Sequence, residues 1–220
     1  MSKAIIVVDF AYKGPKRRGR GTGHKGLRST LKYFQYRDNR TNHRTQTEEE
    51  RWRDLGMGSH YREIFESCNQ LQSPHVLAWT WVISPAPDLM ALIPEDQRPQ
   101  VVCDLTEQIV EDYYTERGFD LPEYSYVLHD RLTDPKGEGE EPLQHLHTHV
   151  VLAGTAPSVA ERLPVYNNKE KGHDVLFREI ASRHFSEALD RVVGPEWQRL
   201  REDPEPTLPA LDAFDEWFPR

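Results

Sequence analysis

Three histidines at alternate positions, His145, His147 and His149, lead directly into the apolar run 150–153 near the middle of this chain. Alternation has the period of a β-strand, so a strand here presents all three imidazoles on one face. His145 and His149 would then lie about 13 Å apart, which is too far for both to bind one ion at bonds of roughly 2 Å. The pattern therefore predicts a strand on which only an adjacent pair of histidines binds a metal, so a further ligand must come from elsewhere in the chain.

His129 is the best candidate for that further ligand, because it ends the β-prone segment 124–129. Residues 130–142 contain Asp-Pro and several glycines, which indicates a loop, and two strands joined by a loop are antiparallel neighbours. Cross-strand side chains lie about 5 Å apart, so His129 can join an adjacent pair. We favour His147 and His149 as that pair, with His145 and His147 as the alternative. The prediction is a three-histidine site with open coordination positions, as a catalytic metal requires.

Length and composition indicate one soluble domain with a hydrophobic core, since 37% of the 220 residues are hydrophobic. No segment approaches the roughly 20 apolar residues of a membrane span, and the apolar run 4–8 is too short for a signal peptide. Cys68 and Cys103 lack the spacing of a disulfide framework or of a cysteine zinc site. We therefore expect a cytoplasmic protein with no membrane partner.

The net charge of −8 is unevenly distributed along the chain. Residues 1–45 carry 12 Lys and Arg against 2 Asp, a balance of +10, whereas residues 46–220 carry −18. The densest part, residues 13–26, is also rich in glycine, which fits either a solvated loop or a segment that orders along a single-stranded DNA backbone. The predicted DNA-binding residues are Lys16, Arg17, Arg18, Arg20, Lys25 and Arg28, with His145 facing the same ligand.

Hydrophobic periodicity predicts an α+β fold, an antiparallel β-sheet with flanking helices. Residues 1–200 form the domain and residues 201–220 form a Pro-rich, acidic and aromatic tail. The predicted elements are a buried strand at 4–9, a helix at 27–37, a polar and mostly helical stretch at 45–72, a strand covered on both faces at 76–83, a helix at 95–117, strands at 124–129 and from 145 to about 154, and a last helix at 176–192.

The segment 144–154, Gln-His-Leu-His-Thr-His-Val-Val-Leu-Ala-Gly, resembles the histidine motif of conjugative relaxases, the plasmid-mobilisation nucleases of the HUH endonuclease superfamily. Relaxases place a strand ending in His before this motif, as at His129, and a Tyr after a first strand, as at Tyr33. The similarity spans roughly residues 3–195. Two departures are a longer interval between His129 and His147, and Arg131 at a position where relaxases commonly have Asp.

The resemblance implies a relaxase-like sandwich that nicks single-stranded DNA at an origin of transfer and transfers the strand through a covalent 5′-phosphotyrosine. It implies a divalent metal, Mn²⁺ or Mg²⁺ before Zn²⁺, and accessory mobilisation proteins as partners. A phenol with a pKa near 10 is a poor nucleophile at neutral pH, so it needs a base or a cation that polarises the phosphate. The implied metal ligands are His129, His147 and His149.

Tyr33 is the implied nucleophile by its position, and Tyr36 is the second candidate. Tyr166 is a further tyrosine, placed after the histidines as in rolling-circle initiators, and Asp9 or Asp130 is a candidate base. Two alternatives remain open at this point. One is a replication initiator or transposase of the same superfamily, and the other is a non-catalytic module that binds DNA or metal.

Overall fold

A computed structural model describes residues 4–15, 23–41, 52–133, 141–156, 163–164 and 172–200. The elements are β1 Ile6–Lys13, α1 Gly23–Thr41, β2 Trp52–Leu55, α2 Tyr61–Gln70, β3 Ala78–Pro85, α3 Pro87–Met90, α4 Arg98–Thr115, β4 Tyr124–Leu132, β5 Gln144–Ala153, β6 Thr155–Ala156, β7 Leu163–Pro164, α5 His173–Val192 and α6 Trp197–Leu200. They form a five-stranded antiparallel sheet in the order β1-β3-β5-β4-β2, with helices on both faces, which confirms the α+β class. Strands β6 and β7 pair as a second, two-stranded sheet.

Strand β5 lies in the middle of the sheet, and its alternating side chains enter two separate cores. Leu146, Val150 and Leu152 pack on one face against α4 and α5. Thr148 belongs to that face too, where its hydroxyl lies 2.8 Å from the hydroxyl of Thr106 on α4. The other face, which we call the histidine face, carries the three histidines and is covered by α1 and α2.

Helix α1 is amphipathic and turns its apolar stripe toward the histidine face. Leu27, Leu31 and Phe34 follow the i, i+4, i+7 spacing, and each is at most 2% exposed. The helix begins where two backbones nearly touch, since a Cβ on Gly23 would lie 1.7 Å from the carbonyl oxygen of Gly14. Only glycine fits such an approach, so this contact fixes the start of α1 against the end of β1.

The principal elements lie close to where the sequence predicts them. Every residue of β3 is buried, as expected for a strand covered on both faces, and α4 lies within the predicted helix 95–117. Several boundaries differ. Strand β1 runs from Ile6 to Lys13, β3 is shifted to 78–85, β4 continues past His129 to Leu132, α1 is longer than the predicted 27–37, and α5 begins three residues before the predicted 176–192.

The prediction of a mostly helical stretch at 45–72 is wrong for β2. Trp52–Leu55 pairs with β4 as an edge strand, and only α2 is helical among the described residues of that stretch. The sequence signal is weak because Arg53 and Asp54 are both exposed on this four-residue strand, so no apolar alternation develops. Pairing with β4 therefore decides the conformation. The tail 201–220 and Tyr166 lie outside the described residues.

Candidate metal centre

Histidines from two neighbouring strands meet at one point of the histidine face. In the register of β4 with β5, His129 lies directly opposite His147, and His149 is the next residue of β5 on the same face. The three side chains are 0%, 1% and 1% exposed, and one ring nitrogen from each lies within 4.8 Å of the others. We call His129, His147 and His149 the histidine triad.

Backbone carbonyls determine which nitrogen of two triad members carries the proton. A carbonyl oxygen only accepts, so His129 donates from Nε2 to the Phe34 carbonyl at 2.6 Å, and its Nδ1 keeps a lone pair. His147 likewise donates from Nδ1 to the His145 carbonyl, at a long 3.4 Å, and its Nε2 keeps a lone pair. Metal-binding histidines commonly donate their second nitrogen to a carbonyl in this way, which fixes the ring and its tautomer.

The donor set fits a metal ion. A tetrahedral ion with bonds of about 2.1 Å holds its nitrogens about 3.4 Å apart. The triad nitrogens lie within 4.8 Å, so small side-chain rotations bring them to that spacing. Burial, followed by the neighbouring histidines, holds the pKa of His147 well below its usual range, so this ring is neutral at pH 7. Neutral imidazole is the form that binds a metal, and the triad can hold one ion.

Helix α1 closes one side of the triad. The ring of Phe34 stacks on His149 with a centroid distance of 4.1 Å and an interplanar angle of 14°, while the Phe34 carbonyl accepts from His129. One residue of α1 therefore contacts two of the three histidines. Any substrate must reach the triad from a side that α1 leaves open.

His145 is the next histidine along β5 and lies beside the triad on the same face. His145 is half-buried, lies opposite Arg131 in the register of β4 with β5, and has its Nε2 2.8 Å from the Ser84 hydroxyl at the end of β3. Burial, and then the charge of Arg131, lowers the pKa of His145 to about 4. His145 is not among the nitrogens that meet in the triad.

Tyr33 and Tyr36 lie three residues apart on α1, about 60° around the helix axis, and both are half-buried. Tyr36 contacts α2, where its ring lies 6.0 Å from that of Tyr61. The ring of Tyr33 lies 6.3 Å from that of Phe34. Of the two candidate nucleophiles, Tyr33 is therefore next to the residue that contacts the triad, and Tyr36 is the one whose ring contacts α2.

The two candidate bases lie on different faces of the sheet. Asp9 is exposed on the histidine face, in the row that runs through Val82 to His149. Asp130 pairs with Leu146 on the opposite face, where its carboxylate accepts from the Gln144 side chain at 3.0 Å. The prediction of Asp130 as a base is therefore wrong. Side chains alternate along a strand, so Asp130 points to the face opposite to that of its neighbour His129 and of the triad.

The described part of the predicted basic surface lies on α1. Lys25 and Arg28 are exposed, and Lys32, which the sequence analysis did not single out, continues them at helical spacing. Tyr61, at the start of α2, is close to Arg28 of this stripe. A hydrogen bond from Arg62, together with the charges of Arg62 and Arg28, lowers the pKa of Tyr61. Lys16, Arg17, Arg18 and Arg20 lie outside the described residues.

Three residues at this centre were not recognised as contributors from the sequence: Phe34, Ser84 and Arg131. Phe34 was visible only as a member of an apolar stripe, and Ser84 only as the end of an apolar strand. Their contacts depend on tertiary packing. The continuation of β4 past His129 is what brings Arg131 onto the histidine face.

Comparison of the sequence with protein-family models and with curated proteins gives no match. Among the described residues, no helix is both long enough and apolar enough to cross a membrane.

Proposed function

We propose that this protein nicks single-stranded DNA in a metal-dependent reaction and transfers the strand through a covalent 5′-phosphotyrosine on Tyr33, as in plasmid mobilisation. One observation carries the proposal. Phe34, the residue next to Tyr33, hydrogen-bonds to His129 and stacks on His149, so the helix that bears the candidate nucleophile is fastened to the histidine triad. Such a fixed relation between nucleophile and metal site favours in-line attack.

The chemistry divides between the chain and a metal. A divalent ion held by the triad would withdraw charge from the non-bridging oxygens of the scissile phosphate. The Tyr33 oxygen attacks phosphorus, the bond from phosphorus to the 3′-oxygen breaks, and the 3′-oxygen leaves as a hydroxyl after taking up a proton from solvent water. Asp9 is our candidate acceptor for the phenol proton. One phosphodiester bond is exchanged for another, so the reverse reaction reseals the strand.

The donor set bears on which metal is used. Three imidazole nitrogens suit Zn²⁺ best, whereas Mn²⁺ and Mg²⁺ prefer oxygen ligands and Mg²⁺ retains its waters. Among the described residues, no carboxylate belongs to the triad. The donor set alone therefore favours Zn²⁺, whereas the resemblance favours Mn²⁺ or Mg²⁺, and Mn²⁺ is the ion used in the tests.

The proposed substrate contacts extend from the triad to the basic N-terminal region. Lys25 and Arg28 on α1, together with the basic residues at 16–20, would neutralise backbone phosphates. An origin of transfer would then be the site of nicking, and accessory mobilisation proteins would be the partners. This assignment implies a cytoplasmic protein.

Covalent capture tests the proposal. The full chain is incubated with Mn²⁺ and a labelled pool of single-stranded oligonucleotides, and the products are separated on a denaturing gel. We expect a protein–DNA adduct that Tyr33→Phe removes and that the matched variant Tyr36→Phe retains, because Tyr36 faces α2. His147→Gln should abolish the adduct and leave DNA binding intact. An adduct that persists in Tyr33→Phe would refute the assigned nucleophile.

A non-catalytic metal- and DNA-binding module is the second candidate, and the burial of the triad favours it. All three histidines are at most 1% exposed, and the Phe34 ring covers His149. In that case the metal would fasten α1 to the sheet, and the wild type would bind Mn²⁺ tightly without forming an adduct with any oligonucleotide of the pool.

A further inference from the structure

Beyond the triad, three partly buried side chains form the next row of the histidine face. Arg131 and His145 are a cross-strand pair immediately next to the pair His129 and His147, and Ser84 contacts His145 at 2.8 Å from β3. We call Ser84, His145 and Arg131 the outer row. It is one residue pair away from the triad, on the side opposite to the end covered by Phe34.

We propose that the outer row is a phosphodiester-binding site, in which Arg131 binds a non-bridging oxygen of the DNA strand at the triad. This inference rests on the proposed function, since it takes a phosphodiester to be the substrate. It assigns to Arg131 a direct contact with the substrate. Relaxases, which the sequence resembles, commonly have Asp at this position.

The donor chemistry of the outer row matches a phosphate oxyanion. A guanidinium presents planar paired N–H donors that fit two phosphate oxygens, and a hydroxyl and an imidazole add single hydrogen bonds. Ser84 is 8% exposed, and both His145 and Arg131 are half-buried, so the row lies at a boundary between protein and solvent. Charge-assisted hydrogen bonds are stronger at such partly desolvated positions than on an open surface.

The three strands nearest the outer row favour an anion, since the carboxylates of this face, Asp9 and Asp54, lie on the outer strands β1 and β2. On the histidine face, none of the described residues of β3, β4 and β5 carries a carboxylate. The acidic side chain of Asp130 lies on the other face and accepts from Gln144. Arg131 lies directly opposite His145 and one residue pair from His147, so its positive charge adjoins both imidazoles. An anion bridging the triad and the outer row would therefore meet a cationic edge.

Binding of dimethyl phosphate, a minimal phosphodiester, provides the test. The full chain is loaded with Mn²⁺, its Mn²⁺ affinity is measured by electron paramagnetic resonance, and dimethyl phosphate is titrated while its ³¹P relaxation is followed. We expect Arg131→Gln to weaken dimethyl phosphate binding about tenfold, the loss of one charge-assisted hydrogen bond, with Mn²⁺ affinity unchanged. Arg131→Lys keeps the charge but not the paired donors, so its loss should be smaller.

The matched control is Arg53→Gln, because Arg53 is an exposed strand arginine that pairs with Tyr126 on the opposite face. It should bind dimethyl phosphate like the wild type. Ser84→Ala should weaken binding by a smaller factor, since it removes a neutral donor. If Arg131→Gln bound dimethyl phosphate as tightly as the wild type, the inference would be overturned. Loss of Mn²⁺ binding in both Arg131 variants would also overturn it, because Arg131 would then support the structure of the metal site and not bind phosphate.

The outcomes separate this inference from the proposed function. If dimethyl phosphate binding depends on Arg131 but no tyrosine adduct forms, the anion site stands and the nicking chemistry fails. If an adduct forms but Arg131→Gln binds dimethyl phosphate normally, only the outer row is wrong. A wild type that binds no Mn²⁺ overturns both.

Discussion

Gln35 holds α1 to the rest of the histidine face, and replacing it should loosen the helix that carries Tyr33 and Phe34. Its side chain is fully buried, and its Oε1 accepts from the indole Nε1 of Trp52 at 3.1 Å and from the backbone N–H of Tyr61 at 2.8 Å. A single oxygen thus joins α1 to β2 and to the first residue of α2. Leucine is of similar size to glutamine but has no hydrogen-bond acceptor. We therefore predict that Gln35→Leu destabilises the protein.

The size of the effect follows from the groups left without an acceptor. Each buried N–H that loses its partner costs about 1–3 kcal/mol, so the two donors of Trp52 and Tyr61 together cost about 2–6 kcal/mol. Part is recovered, because within the described residues the Nε2 of Gln35 has no hydrogen-bond partner, and removing it returns about 1–2 kcal/mol. The net loss of unfolding free energy should be about 1–4 kcal/mol.

Urea unfolding followed by far-UV circular dichroism measures this loss. With a slope of about 2 kcal/mol per molar urea, the midpoint of Gln35→Leu should fall by about 0.5–2 M. Gln70→Leu, on the exposed side of α2, is the matched control and should shift the midpoint little. In the double variant with Trp52→Phe, which removes one of the two donors, the cost should be less than the sum of the single costs. An unchanged midpoint, or strict additivity with Trp52→Phe, would refute this account of Gln35.

Three further predictions concern the metal, pH and salt. Mn²⁺ at about 100 times its dissociation constant should raise the unfolding free energy by about 2.7 kcal/mol; His149→Gln should lose this stabilisation in thermal melts, whereas the exposed His75→Gln should keep it. Without metal, the folded pKa of His145 is lowered from 6.5 to about 4, so its contribution to stability is intact above pH 6.5 and is lost as the pH falls toward 4. That loss should reach about 3 kcal/mol, and His145→Gln should reduce the difference between urea midpoints at pH 7.5 and pH 4.5; equal differences in variant and wild type would contradict it. Single-strand affinity, measured by fluorescence anisotropy against salt, should show a slope reduced by about 1.4 when Lys25 and Arg28 are both changed to Gln; an unchanged slope would remove α1 from the DNA interface.

Local periodicity determined part of the candidate centre before any tertiary contact was known. Alternation of His145, His147 and His149 requires one face of a strand, because successive side chains on an extended backbone point in opposite directions. The span of that strand limits any single ion to an adjacent pair. The antiparallel sheet, the helices α4 and α5, and the fully buried β3 follow from the same kind of local signal.

Register and helix placement were decided only by the tertiary structure, because they arise from contacts between residues distant in sequence. Pairing of β4 with β5 sets His129 opposite His147 and carries Arg131 onto the histidine face. The packing of α1 brings the Phe34 carbonyl to His129, 95 residues along the chain, and places the ring of Tyr36 against that of Tyr61 on α2. No local pattern contains such information, since it depends on which surfaces bury each other when the whole chain folds.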